Sequence, residues 1–304
     1  MDLYNISINN KVENLELFAR KAVEGFIIGL HRSPFHGFSV EFAEHRLYNP
    51  GDNLKHVDWK VYGRTNRLFS KKYEEETNLR CCIVLDTSKS MLYQNRNGKS
   101  KLQSSIEAAA VLIEFLKRQM DASSLALFDD KLYQLTKSGT SSAHQRSLFA
   151  QLEHLYDRKT NAANESHISN VLHELSERLH RRSLVILFSD MLEEPADTVK
   201  LLGALQHLSY NKHEVIIFMV GDREKEWLFE IPNQPVTIED SETGERVELM
   251  PEQIRKHYLD QVDYFIKEIS EYCLSIKAGF HLFDINQNPT DILKEYLIKR
   301  KKLM

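Results

Sequence analysis

The chain has 304 residues, enough for one large domain or two unequal ones and for a substantial buried core. Charged residues make up 28% and hydrophobic residues 42%, the balance of a globular protein, and a formal net charge of −4 argues against a nucleic-acid binder with a broad basic footprint. Three cysteines without a Cys-x-x-Cys pair argue for buried thiols in a reducing compartment and against a structural zinc site.

The polar start, Met1 to Asn10, lacks the basic and apolar stretches of a signal peptide, and no run of about 18 apolar residues occurs. A cytoplasmic protein without membrane spans is therefore expected. Residues 11–30 read as a helix with Val12, Leu15, Phe18, Ala19, Ala22 and Val23 on one stripe, ended by Ser33-Pro34 and Gly37. A short strand over 38–47, a turn at Asn49-Pro50-Gly51-Asp52 and an extended piece over 68–73 follow. From Arg80 the pattern changes. Cys81 to Leu85 is a continuously apolar run, the mark of a strand buried on both faces. Neighbouring strand residues point to opposite faces, so Cys81 and Cys82 are poor disulfide partners.

A helix over 103–120 precedes a hairpin of 125–128 and 132–135 about Asp129-Asp130. Helices over 142–156 and 168–180, an apolar strand over 184–188, a helix over 195–208 and a third apolar strand over 215–220 come next. A hairpin within 235–249, a long helix over 252–273, a strand over 280–283 and a helix over 292–299 complete the reading. Strands alternating with helices of this length imply an α/β fold, a mostly parallel central sheet covered by helices on both faces. The expected division is a small N-terminal helix-plus-strand region, 1–79, and an α/β domain, 80–304. The run Lys299-Arg300-Lys301-Lys302 reads as a solvated helix end favoured by the helix dipole, or as a contact to anionic lipid or an acidic partner in a peripheral membrane association.

Ligands of open α/β sheets bind just past the carboxyl ends of the strands. The first apolar strand runs into Asp86-Thr87-Ser88-Lys89-Ser90, the second into Ser189-Asp190, and Glu165-Ser166-His167 precedes a helix. Asp86, Ser88, Ser90, Ser166 and Asp190 can thus converge as hard oxygen donors, suited to magnesium, or to manganese or calcium, rather than zinc or copper. Serine hydroxyls add no charge, so only Asp86 and Asp190 offset a divalent ion, which stays electrophilic and free to accept a carboxylate from a partner. Each residue also has a plainer reading, since Asp and Ser cap helices.

The Asp86-Thr87-Ser88-Lys89-Ser90 loop resembles the metal-ion-dependent adhesion site of von Willebrand factor A domains, with Asp190 matching that family's later aspartate. Ser166 stands where the family usually has threonine, without the glycines that usually precede it. Glu41-Phe42, Arg46-x-Tyr48, Pro50-Gly51-Asp52, Val57-Asp58-Trp59, Arg64, Tyr73 and Glu74 narrow the resemblance to the bacterial domain-of-unknown-function-58 family, whose genes commonly accompany MoxR-type AAA ATPases. The resemblance implies a Rossmann-like von Willebrand factor A-like domain, a divalent-metal site, and a role as adaptor or co-chaperone-like partner of such an ATPase or its client, in the short form that lacks transmembrane helices.

The residues suggest no enzyme. There is no Gly-x-Ser-x-Gly, no phosphate loop and no Gly-x-Gly-x-x-Gly, and Ser88 occupies the place where a dehalogenase-like phosphatase needs a second aspartate. A phosphatase-like metal-dependent hydrolase using Asp86 and Asp190 is the alternative. Arg46, Asp52, Asp58 and Trp59 read as structural, with Trp59 a buried anchor. His31, His36, His45 and His56 match no zinc spacing.

Overall fold

The computed structural model describes residues 15–27, 40–47, 59–66, 68–75, 79–156, 167–192, 197–239 and 246–303. The chain divides into two compact units, one of Met1–Pro34 with Arg80–Met304, the other Phe35–Leu79. The division differs from the expected one in its first helix, α1 (Leu15–Ile27), which belongs to the unit of the main sheet. Leu15, Ala19 and Val23, spaced by four, are buried, and the helix packs on α3 (Lys101–Arg118).

The Phe35–Leu79 unit holds an antiparallel pair, β1 (Val40–Leu47) and β2 (Phe69–Glu75), with an irregularity between Phe42 and Glu44. Between them lies a helix the sequence pattern did not suggest, α2 (Trp59–Thr65), which buries no residue. Trp59, expected to be a buried anchor, is 60% exposed. It meets Tyr62 edge-on at 6.2 Å, the i,i+3 spacing that places two rings side by side on a helix surface.

The main sheet has six strands: β3 (Arg80–Asp86), β4 (Ala122–Phe128), β5 (Leu132–Leu135), β6 (Leu184–Ser189), β7 (Glu214–Gly221) and β10 (Gly279–Asp284). Their order is β10-β7-β6-β3-β4-β5, parallel except for β5, which turns back from β4. β3, β4, β6 and β7 are buried almost throughout, as their continuous apolar runs require. On one face Cys82, Val84, Val185, Leu187, Val215 and Ile217 share a core with α5 (Ile168–Arg178), α6 (Thr198–Tyr210) and α7 (Pro251–Ser275). On the other, α3 lies over β3, β4 and β7, beside α4 (Ser142–Tyr156) and α8 (Pro289–Leu303). Phe188 and Phe218 stack there at 4.9 Å, with Tyr296 of α8 edge-on to Phe218. A hairpin, β8 (Val236–Glu239) with β9 (Arg246–Leu249), leads into α7.

Cys81, Cys82 and Cys273 are buried thiols outside any disulfide, and burial pushes Cys82 and Cys273 up to about 12. No helix among the described residues is long and apolar enough to cross a membrane.

The strand order fixes where a ligand can enter. From β3 the chain steps outward to β4 and β5, then crosses back to β6 on the other side of β3 and on to β7 and β10. The reversal falls between β3 and β6, the switch point at whose carboxyl ends open α/β sheets bind their ligands.

Candidate metal site

Asp86 closes β3 and is fully buried. Leu85 pairs with Phe188 of β6, so the next residues, Asp86 and Ser189, come level on the two adjacent strands. The Ser189 hydroxyl donates to Asp86 Oδ2 at 2.7 Å, and the Ser88 N–H donates to Asp86 Oδ1 at 2.9 Å. Burial pushes the Asp86 carboxyl up to about 7; the charge of Asp190 adds to the rise, and the hydrogen bonds from Ser88 and Ser189 oppose it.

The loop after Asp86 is latched to the sheet by Thr87, whose N–H and hydroxyl both donate to the Phe128 carbonyl, at 2.8 and 2.7 Å. A 3₁₀ turn, Ser90–Leu92, then folds the chain so that Ser88 Oγ and Ser90 Oγ lie 3.1 Å apart, both buried.

Asp190 follows β6. The next residue, Met191, has φ of 57°, a left-handed conformation costly for a side-chain-bearing residue and held here by its N–H bond to Ser189 Oγ at 2.9 Å. This bend sets Asp190 beside the start of α3.

That helix begins with a lysine. Ser100 caps it reciprocally with Gln103, each backbone N–H meeting the other's side-chain oxygen at 3.0 Å. Lys101 is 1% exposed. Its ammonium donates to Asp190 Oδ2 at 3.1 Å and to Glu226 Oε1 at 2.6 Å, and lies 5.6 Å over the Tyr93 ring. Burial and the positive helix N-terminus both disfavour a charge there. The two carboxylates outweigh burial and hold the Lys101 ammonium above the ordinary lysine range.

Glu226 belongs to a π-helical turn, Arg223–Trp227, that follows β7. Such turns are rare and tend to occur at functional sites. Asp222 caps it by accepting the N–H groups of Glu224 and Lys225, and its own N–H donates to Glu226 Oε2 at 2.7 Å. Tyr258 of α7 donates to the Glu226 carbonyl at 2.8 Å. Gly221 permits the arrangement, because a Cβ there would lie 2.8 Å from the Trp227 indole.

Asp86, Ser88, Ser90 and Asp190 therefore lie at one end of the sheet, while Ser166, Asp52, Asp58, His31, His36 and His56 lie outside the described residues. Among the described residues no three His, Cys, Asp or Glu side chains form a metal-holding group. The donors present are two carboxylates and two hydroxyls. An oxygen octahedron with bonds of about 2.1 Å sets neighbouring ligands about 3.0 Å apart, and magnesium keeps several waters. The Ser88–Ser90 spacing of 3.1 Å suits such a pair, and the all-oxygen set suits a hard cation. The donor types are those a hard cation takes, and Asp190 already carries the Lys101 ammonium.

Sequence reasoning missed Lys101, Glu226 and the role of Ser189. Two signals were available. A lysine at the first position of a helix runs against the dipole and needs a reason. The strand-end rule, applied after Gly221 as it was after Leu85 and Phe188, leads to Asp222 and Glu226.

The architecture and this site define an open, mostly parallel α/β sheet with a buried acid–hydroxyl cluster at its switch point. The chain belongs to the family described as protein of unknown function DUF58, whose model matches residues 44–264. It is 24% identical over 234 residues to uncharacterized proteins of Mycobacterium tuberculosis and Mycobacterium bovis, covering 77% of this chain and 70% of theirs. Among solved structures it is similar to the conserved hypothetical protein BatB from Bacteroides thetaiotaomicron, with TM-score 0.45 and 13% identity over 74% of this chain and 99% of that one. It is also similar to an aerotolerance-related membrane protein from Bacteroides fragilis, with TM-score 0.40 and 15% identity over 74% and 100%.

Proposed function

We propose that this chain is a metal-dependent protein-interaction module of the von Willebrand factor A-like class, partnering a MoxR-type AAA ATPase or its client. The observation that carries the reading is the placement of Asp86, Ser88, Ser90 and Asp190 at the carboxyl ends of two adjacent strands where the order reverses. These residues, with Ser166, would hold magnesium. Bound there, the ion supplies a Lewis-acid position open to a partner's carboxylate, since the ligand set carries only two negative charges.

The protein's own part is to arrange the donors. Thr87 anchors the loop to β4, Ser189 orients the Asp86 carboxylate, and the bend at Met191 aims Asp190. None of these groups forms a nucleophile–base pair, which favours docking over hydrolysis.

The test is capture of a MoxR-type AAA ATPase by the purified protein, in magnesium and in chelator. Retention should need magnesium and should fail with Asp86→Ala, whose fold is checked by circular dichroism. Equal retention in chelator and with Asp86→Ala would leave the metal outside the docking function.

A further inference from the structure

Lys101 has no part in the docking reading, yet its charged side chain is almost wholly buried at the site. A cation already sits where a divalent ion must share a carboxylate. Its ammonium has two seats, Asp190 on the strand end and Glu226 on the π-helical turn, at 3.1 and 2.6 Å. Glu226 is in turn tied to the end of β7 through the Asp222 N–H and to α7 through Tyr258.

We propose that Lys101 is a tethered counter-cation that competes with the divalent ion for Asp190 and, displaced toward Glu226, transmits occupancy of the site to the π-helical turn and α7. The proposal rests on the metal reading above. A divalent ion on Asp190 repels the ammonium, and among the described residues Glu226 is the other carboxylate it contacts. No other cation is needed, because the tether of α3 keeps Lys101 beside both carboxylates. The π turn is suited to respond. It is short, its residues are at least partly exposed, and its Trp227 covers Gly221 at the end of β7.

The test uses isothermal titration with magnesium on the full chain, in wild type, Lys101→Met and Glu226→Gln. Removing a fixed charge about 3 Å from a ligand oxygen should tighten magnesium binding by roughly tenfold or more, since charges this close interact strongly at protein dielectric constants. Glu226→Gln removes the ammonium's second seat and should weaken binding several-fold. A merely structural role for Lys101 would weaken binding in both variants, so opposite signs distinguish the two accounts.

A second readout is the fluorescence of Trp227 in a Trp59→Phe background, the chain having two tryptophans. Magnesium should shift its emission, and Lys101→Met should abolish the shift while binding persists. If Lys101→Met does not fold, the Glu226→Gln affinity and the Trp227 shift decide. Binding in Lys101→Met no tighter than in wild type, or in Glu226→Gln no weaker, overturns the proposal. No heat of binding in either the wild type or Lys101→Met overturns the metal reading itself, and the proposal with it.

Discussion

Two pairs of strands in the main sheet end in two aspartates each, and they use them differently. Asp222 and Asp284, after β7 and at the end of β10, gather donors on single oxygens. Asp222 Oδ1 accepts from the N–H groups of Glu224 and Lys225 and from Asn286 Nδ2; Asp284 Oδ1 accepts from the N–H groups of Arg223 and Asn286 and from Asn286 Nδ2. These carboxylates are caps that fold the adjacent loops. At the reversal point, Asp86 accepts one peptide N–H, from Ser88, and the Ser189 hydroxyl, and Asp190 takes a long bond from the Leu192 N–H at 3.4 Å and the Lys101 ammonium. Among the described residues Asp190 accepts a single peptide N–H, and its charge is met by the ammonium of Lys101 from α3. An acid at a strand end is therefore not a site by itself. The number of local peptide donors it absorbs separates a structural cap from a group held for something else.

The contrast predicts that the reversal-point network is the more expensive to break. Lys101→Met leaves the Asp190 carboxylate buried without its cation, and loss of one partner from a buried pair typically destabilises by about 3–5 kcal/mol. Urea unfolding in chelator measures this; a loss below about 1 kcal/mol would mean that water or a shift of the π turn already screens Asp190. Asp222→Ala removes a cap and should cost about 1–3 kcal/mol, the range for orphaned buried donors. The two classes then separate on adding magnesium. Asp222→Ala should keep the magnesium-dependent rise in melting temperature expected by linkage, and Asp86→Ala should lose it. Loss in both would erase the distinction between cap and site.

A smaller effect is expected at Gly221. Gly221→Ala sets a methyl group about 2.8 Å from the Trp227 indole, so the ring must move. Overpacking of this kind costs about 1–3 kcal/mol, at the lower end where a side chain can yield. The accompanying red shift of Trp227 emission would show that the π turn, rather than β7, gives way; unchanged emission would place the strain in the strand.

The parallel sheet was legible because its strands, buried on both faces, leave continuous apolar runs such as Cys81 to Leu85 and Val215 to Val220, and the strand-end rule led from them to Asp86 and Asp190. The short helix Trp59–Thr65 was not legible. It carries no apolar stripe, contains Gly63, and buries nothing that would impose a period. The π turn has no sequence period of its own, and its geometry follows from the Asp222 cap and the indole over Gly221. Lys101 was hidden for a different reason. Its partners are 89 and 125 residues away, so its place at a helix start marks it as unusual but names neither carboxylate.

The smallest expected effect lies at the opposite edge of the sheet, where β6 and β7 begin, and it checks that the two ends are electrostatically independent. His213 is 5% exposed, and its Nδ1 accepts the Ser183 N–H at 3.3 Å. Burial holds its pKa below the ordinary histidine value, with the charge of His207 adding to the fall and hydrogen bonds with the Ser176 and Ser183 backbone opposing it. The folded state thus resists protonation that the unfolded chain accepts. The sign follows from linkage: between the folded and unfolded values the unfolded state binds more protons, so stability is retained above about pH 6.5 and falls as the pH drops below it. His213→Gln removes this proton uptake and should flatten the stability profile just below about pH 6.5. Magnesium affinity at pH 7 should not change, since mutations distant from one another and without shared partners act additively. A His213→Gln variant that kept the acid-side slope would assign the loss to another group, and one that altered magnesium affinity would show that the two ends of the sheet are coupled through β6.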